Sequence, residues 1–245
     1  KDNYICLSQF TLREVIQQTI ISAAFNETNK MMSGEYIEVS GDKAKFVTLD
    51  GHRISIRNIV MKEKYGNAKV IVPGKTLTEI SKIITGDNDS EVMIYFGKNQ
   101  IIFEFDKTIV ISRLIEGEYF HIEHMLSEDY ETKITINKNK FLNSIDRSLI
   151  LIRENDHKPI ILDIGEGSLK LKVKSSYGTM DAEIPCEKEG KDILIAFNPK
   201  FLMDALRVID DETVDIYMTN PKSPCFIRDE KETYIYLILP VNFIA

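Results

Sequence analysis

VIVPGKTLTEISKII, residues 70–84, and LIAFNPKFLMDALRVI, residues 194–209, are one pattern written twice. Each joins an apolar run to a proline beside glycine or asparagine, then a lysine, then apolar residues at helical spacing. Lys75 and Lys200 lie 125 residues apart, and Lys82 and Arg207 repeat the interval. A strand-like run follows each copy, VMIYF from Val92 and VDIYM from Val214. Further upstream, FTLREVIQQTI from Phe10 opens the first copy and ITINKNKFLNSI from Ile134 opens the second. A repeat of this length is too long for a solenoid unit and has the size of a whole domain. The chain therefore reads as two similar domains, with a function that repetition serves.

At 245 residues, two domains of ordinary size fit, and each has enough chain to bury a core. The apolar content of 43% argues against a disordered chain. No apolar run reaches the roughly 18 residues of a membrane span, and no secretory signal opens the sequence. Cys6, Cys186 and Cys225 are odd in number and far apart. They fit a reducing cytosol and offer neither a disulfide framework nor a CxxC metal pair. A chain opening on Lys1 reads as a fragment or a trimmed protein.

Helical spacing predicts four helices, over 11–25, 73–84, 137–152 and 198–209. Asn198 followed by Pro199 is a cap followed by a first-turn proline. Strands are predicted over 36–39, 45–49, 92–96, 101–105, 160–164, 168–174, 214–218 and 234–239. Gly41-Asp42, Gly97-Lys98 and Gly165-Glu166-Gly167 are read as the turns separating them. Each domain is then two helices packed on a mostly antiparallel sheet, an α+β arrangement. The polar stretch 116–131 lacks a period and is read as the boundary, giving domains 1–124 and 125–245.

The net charge of −7 argues against a simple nucleic-acid binder. Its distribution argues otherwise. Counted over 11–25, 73–84, 137–153 and 198–209, the predicted helices hold nine basic and four acidic residues, a balance of +5 that leaves −12 for the remainder. Lys75/Lys82, Lys140/Arg147 and Lys200/Arg207 are each seven residues apart. Two helical turns separate the members of a pair, so each pair shares one face, about 10 Å apart along the axis. Ordinary solvation of an outer helix face accounts for such residues equally well; their recurrence in both repeats favours a rail for something negative.

A catalytic reading would rest on Asp50-Gly51-His52, which is more often simply a hairpin turn. The four histidines, His52, His121, His124 and His157, show no HxH or HExxH spacing, and no P-loop, GxGxxG or GxSxG is present. Neither enzymatic activity, a cofactor nor a metal is expected.

Ordered motifs sharpen the reading. FVTLDGHR spans 46–53 and VIVPGK spans 70–75; RLIEG spans 113–117, with Tyr119-Phe120 after it; FIRD spans 226–229 and YLILPVNF spans 236–243. In this order and spacing they resemble the bacterial DNA polymerase III β subunit, the sliding clamp, over essentially the whole chain. The match is to the second and third of the family's three domains, so the N-terminal domain is expected to be absent. The resemblance implies a DNA-clamp fold and a non-catalytic, cytoplasmic processivity factor. In the family two full-length protomers close a ring, with helices lining the hole and sheets forming the outer wall. The DNA-facing residues are then Arg13, Lys75, Lys82, Lys138, Lys140, Arg147, Lys200 and Arg207, touching phosphate without reading sequence.

The resemblance also implies a cleft that docks short linear motifs of the polymerase III catalytic subunit, the clamp loader and repair polymerases. Carried over by motif, one wall is Leu49, Gly51, His52, Arg53 and Ile54, with Met32 nearby. The other is Leu237, Ile238, Leu239, Pro240, Val241, Asn242 and Phe243. Asn198 and Phe201 come from the last helix, Phe120, His124 and Met125 from the linker, and His157 and Pro224 from loops. Pro240 is expected to break the ladder and leave the tail free of a central strand role. Phe120 and His124 depart from the family's usual proline and arginine, and Ile244 and Ala245 extend its usual end, which puts the rim's peptide preference in question. Two other readings stand beside this one: a two-domain clamp that closes as a trimer, and a peptide-binding module without a DNA role.

Overall fold

The computed structural model describes residues 3–25, 28–152 and 158–243. The chain divides into two compact units, Lys1–His121 with Glu232–Tyr234, and Ile122–Lys231 with Ile235–Ala245. Both follow one plan: a strand leads into a helix, a long antiparallel hairpin or meander follows, then a second helix, then three strands.

In the first unit these are β1 (Tyr4–Ser8), α1 (Gln9–Thr19), β2 (Gly34–Leu49), β3 (Arg53–Pro73), α2 (Gly74–Ile83), β4 (Glu91–Phe96), β5 (Gln100–Phe105) and β6 (Thr108–Arg113). One sheet runs β1-β4-β5-β6, and β2 and β3 pair as a long antiparallel hairpin. In the second unit the elements are β7 (Thr132–Asn137), α3 (Lys138–Ser148), β8 (Ile160–Gly165), β9 (Ser168–Ser175), β10 (Gly178–Gly190), β11 (Ile193–Phe197), α4 (Pro199–Val208), β12 (Thr213–Met218), β13 (Cys225–Arg228) and β14 (Tyr234–Ile238). Their order across the sheet is β11-β8-β9-β10-β7-β12-β13-β14, with antiparallel pairing.

Apolar spacing decides which helix face is buried. α1 buries Leu12, Val15 and Ile16, and α2 buries Leu77 and Ile80; together they pack against Ile5, Phe46, Val72, Val92 and Phe103. α3 buries Phe141 and Ile145, and α4 buries Leu202, Ala205 and Leu206. Each such leucine contributes about 2–5 kcal/mol, judged by what its truncation costs. The helix starts are capped locally: the Ser8, Asn137 and Asn198 side chains accept the Thr11, Lys140 and Lys200 amides, each at 3.0 Å. α2 starts differently. Gly74 opens it, packed so closely that a Cβ would lie 2.7 Å from the Ser33 carbonyl.

Two expectations need correction. The first helix starts at Gln9 rather than 11, because Ser8 is the cap, and it ends at Thr19 rather than 25. The Thr48 hydroxyl donates to the Thr19 carbonyl, the acceptor that a further α-turn would need, and Ala23 N–H bonds Ile20 instead. A short 3₁₀ turn, Ile20–Ser22, closes the helix. Second, Gly41-Asp42 is no turn between strands: β2 runs through it as a bulge, with Gly41 at φ +61°. The strand expected before Pro240 is present as β14, buried at all five positions, and it ends at Ile238, so the ladder stops before the proline. After Pro240 the Val241 N–H donates to the Ala196 carbonyl at 2.9 Å, so the tail is tied down. Among the described residues, no helix is long and apolar enough to cross a membrane.

Candidate functional site

The basic pairs take up the positions that the helical spacing gives them. Lys75 and Lys82 are exposed on α2, Lys140 and Arg147 on α3, Lys200 and Arg207 on α4. Of their acidic neighbours, Glu79 and Asp146 are equally wet and Asp204 is half-buried. Lys82 meets Glu79 at 2.7 Å with both side chains more than 60% exposed. Lys200 meets Asp204 at 2.9 Å, and Arg207 reaches Asp146 on α3 at 3.4 Å. Such surface pairs contribute roughly 0–1 kcal/mol, so they leave the cations available to a stronger anion. Lys140 and Arg147 also rim a groove of about 450 Å³ floored by Ile184 and Pro185.

Two of the eight candidates are committed to the fold. Lys138 Nζ donates to the Ile209 carbonyl at the end of α4, a cation on a helix C-terminus. Arg13 lies over the loop after α2, its guanidinium 3.5 Å from the Thr85 carbonyl and against Gly86. Its Nε is buried without a hydrogen-bond partner among the described residues.

The partner-binding candidates fall into two sets, one on each unit. In the first, Leu49 and Ile54 pair across the β2–β3 hairpin and both are buried. Gly51, at φ +85°, supplies the left-handed turn residue that glycine adopts without strain. Asp50 organises the turn: it accepts the His52 N–H at 3.1 Å and pairs with Arg53 Nε at 2.9 Å. Arg53 is therefore anchored and only 8% exposed, while His52 faces solvent. The i,i+3 spacing of Asp50 and Arg53 around a glycine is the sequence signal for that pairing. Met32 is half-buried in a 3₁₀ turn, Lys30–Ser33, with its carbonyl holding Ala24 N–H. Phe120 is half-buried, edge-on to Tyr119 at 5.3 Å, and Tyr119 stacks on Tyr36 at 5.0 Å.

In the second set, Leu237 and Ile238 are core residues of β14. Leu239, Pro240, Val241 and Phe243 are half-buried and Asn242 is exposed. The Asn198 side chain is occupied as the α4 cap, and Phe201 and Pro224 are half-buried. His124 and Met125 are exposed in a 3₁₀ turn, Glu123–Met125. His157 lies outside the described residues. Among the described residues no group of three or more His, Cys, Asp or Glu side chains could hold a metal.

Sequence reasoning missed Glu35. It is fully buried next to Thr19, whose hydroxyl lies 2.6 Å from Oε1, while Oε2 has no hydrogen-bond partner among the described residues. Burial pushes its carboxyl up to about 8, so at neutral pH it is the uncharged acid. Its sequence signal is a charged residue in alternation with Ile37 and Val39, the inward positions of that part of β2.

Two copies of one helix-on-sheet domain in a single chain are the fold of a sliding clamp. Residues 6–121 match the family model described as DNA polymerase III beta subunit, central domain, and residues 123–242 match its C-terminal domain. The chain belongs to the DNA polymerase III beta subunit family. A curated relative from Staphylococcus aureus, named beta sliding clamp, is 32% identical over 245 residues. That alignment covers 99% of this chain and 65% of the relative, so the chain spans about two thirds of its relatives' length. The crystal structure of a putative DNA polymerase III beta subunit from Eubacterium rectale is 58% identical, with a TM-score of 0.97 over 99% of this chain and 66% of that one. The DNA polymerase sliding clamp from Bacillus subtilis is 29% identical, with a TM-score of 0.95 over 100% and 65%.

Proposed function

We propose that this chain is the second and third domains of a replicative sliding clamp, which encircles duplex DNA as a homodimeric ring when full length and tethers polymerases to it. The observation that carries this reading is the exposed basic pair at seven-residue spacing, present on three helices and in both repeats. Cations at that spacing meet phosphates without reading bases, and their hold weakens with salt, which suits a ring that slides. Lys75, Lys82, Lys140, Arg147, Lys200 and Arg207 are the phosphate contacts; Arg13 and Lys138 act through the fold. No catalytic step is needed, because topology holds the DNA. The setting is the cytoplasm of a bacterium.

The partner function lies with the 49–54 turn and the C-terminal segment 237–243. Half-buried Leu239, Pro240 and Val241 offer apolar contact to the Leu and Phe anchors of short linear motifs in the polymerase III catalytic subunit, the clamp loader and repair polymerases. The test is anisotropy of a fluorescent peptide bearing a Gln-Leu…Leu-Phe motif. Saturable binding is expected, and Leu239→Ala should weaken it by more than about 1 kcal/mol. Unchanged affinity in a folded variant would overturn the assignment. For the DNA function, neutralising Lys140 and Arg147 together should lower the slope of log affinity against log salt by about 2.

A further inference from the structure

In the second unit the end of β10 runs beside β7 in an unbroken ladder, from Cys186 opposite Ile136 to Gly190 opposite Thr132. Residues 61–65 of β3, one repeat interval earlier, correspond to that strand end, and β1 corresponds to β7. Among the described residues that ladder is missing there. β1 ends its sheet with β4 as its described partner, and residues 61–64 arch out of β3 opposite the Gly41 bulge. A glycine marks the difference. Gly190 has φ +87°, and a Cβ on it would lie 1.9 Å from the Glu131 carbonyl oxygen. Its counterpart 125 residues earlier is Tyr65, which has a Cβ and a ring to accommodate.

The open seam is a groove of about 670 Å³ within the first unit, inside the roughly 300–1,000 Å³ range of ligand clefts. Phe96 N–H donates to the Asn3 carbonyl, and Gln9 N–H donates to the Ser90 carbonyl. By the two-residue alternation of an antiparallel ladder, Ile5 and Leu7 then bond β4, while Tyr4, Cys6 and Ser8 turn their backbone groups toward the groove. One of these already has a side chain beside it: Tyr65 lines the groove next to Cys6. Tyr4 and Tyr65 stand edge to face at 5.8 Å, and the exposed carboxylates of Glu63, Asp89 and Glu91 line the groove with Lys62 as the lone cation among its lining residues.

We propose that this groove binds an extended, basic segment of a partner protein, which adds as a strand to the free edge of β1. An unpaired strand edge supplies backbone bonds, which give affinity for any extended chain. Carboxylates and tyrosine faces select lysine or arginine on alternate residues of that chain. The incoming strand takes the place of Tyr65 beside Cys6 and lies along β1 as β10 already lies along β7 in the second unit. This site is separate from the motif-binding residues proposed above, whose probe carries apolar anchors.

The test uses the chain as it stands and a fluorescent peptide of alternating Arg and Thr, long enough to span β1. Saturable binding is expected. The same peptide N-methylated at alternate amides keeps its charge but loses one edge of backbone bonding, and should bind about tenfold more weakly or worse. Glu63→Lys with Glu91→Lys, both at exposed positions, should cost about tenfold as well, with an unchanged melting curve. Cys6 gives a local readout, since it lines the groove while Cys186 and Cys225 are buried. Its alkylation, run at alkaline pH because burial and Glu91 raise the thiol pKa, should slow by about fivefold or more under saturating peptide. Equal binding of the N-methylated peptide would reduce the effect to charge alone and overturn the proposal. So would unchanged Cys6 labelling at saturation. Should the charge-reversed variant fail to fold, those two arms still decide.

Discussion

The second repeat zips a seam that the first leaves open, although both build it from corresponding strands. In the second, β10 meets β7 over five rungs; in the first, the corresponding stretch of β3 arches away from β1. A second contrast lies one strand further on. Glu35, opposite Val72, occupies the place that Ile160, opposite Phe197, holds in the other copy. Both glutamate and isoleucine there are fully buried. A repeated plan therefore fixes where strands run, while single residues decide whether an edge is shared or free and whether an inward position is apolar or titratable.

The largest test of that contrast is to exchange the seam residues. Gly190→Tyr forces a Cβ into the Glu131 carbonyl and is expected to cost about 4 kcal/mol or to prevent accumulation of folded protein, read by urea unfolding. The reverse change, Tyr65→Gly, should cost only about 1 kcal/mol. If Gly190→Tyr were as mild as its reverse, the glycine would not be what closes the seam. Next come the core leucines at the repeat interval. Leu77→Ala and Leu202→Ala, at sites exposed by 0% and 1%, should each lose about 3 kcal/mol. A large inequality between them would show that the two cores are not packed alike.

A smaller and pH-dependent effect belongs to Glu35. The folded chain keeps its carboxyl protonated up to about pH 8, whereas the ordinary value is 4.5. Protons held by the folded but not the unfolded state favour folding at low pH. Its contribution is therefore full below about pH 4.5 and lost as pH climbs toward 8. Glu35→Gln should flatten that fall and raise the melting midpoint at pH 8 by a few °C, about 2–4 °C per kcal/mol recovered, with little change at pH 4. A midpoint that falls with pH equally in both proteins would place the titration elsewhere. The smallest effect is on the rails: neutralising Lys140 and Arg147 should leave unfolding unchanged within about 0.5 kcal/mol, because both are exposed. A larger loss would mean that these side chains serve the fold, as Lys138 does.

Much of the architecture was legible because helices announce themselves locally. Leu77, Ile80, Leu202 and Leu206 recur at helical spacing, and Asn198-Pro199 marks a start that cap geometry confirms. Strands were harder. β3 passes through MKEKYGNAK, which is charged and largely exposed and carries no alternation; the pairing of its two flanks with β2 is what makes it one strand. The end of α1 was misread because the residue that stops it, Thr48, is 29 positions away. The candidate site divides the same way. Exposure of the basic pairs followed from helical spacing, but Lys138 is engaged by the Ile209 carbonyl, 71 positions away, a partner that spacing does not assign.

The sequence by itself determined the two-fold repeat, the four helices with their buried and basic faces, and membership in a clamp family, because each is written in local period or in motif order. Tertiary structure alone decided which strand edges meet, which cations remain free and which carboxyl is stripped of water. Those outcomes depend on atoms brought together from distant points of the chain, such as a missing Cβ at Gly190 facing Glu131, and no local pattern encodes that distance.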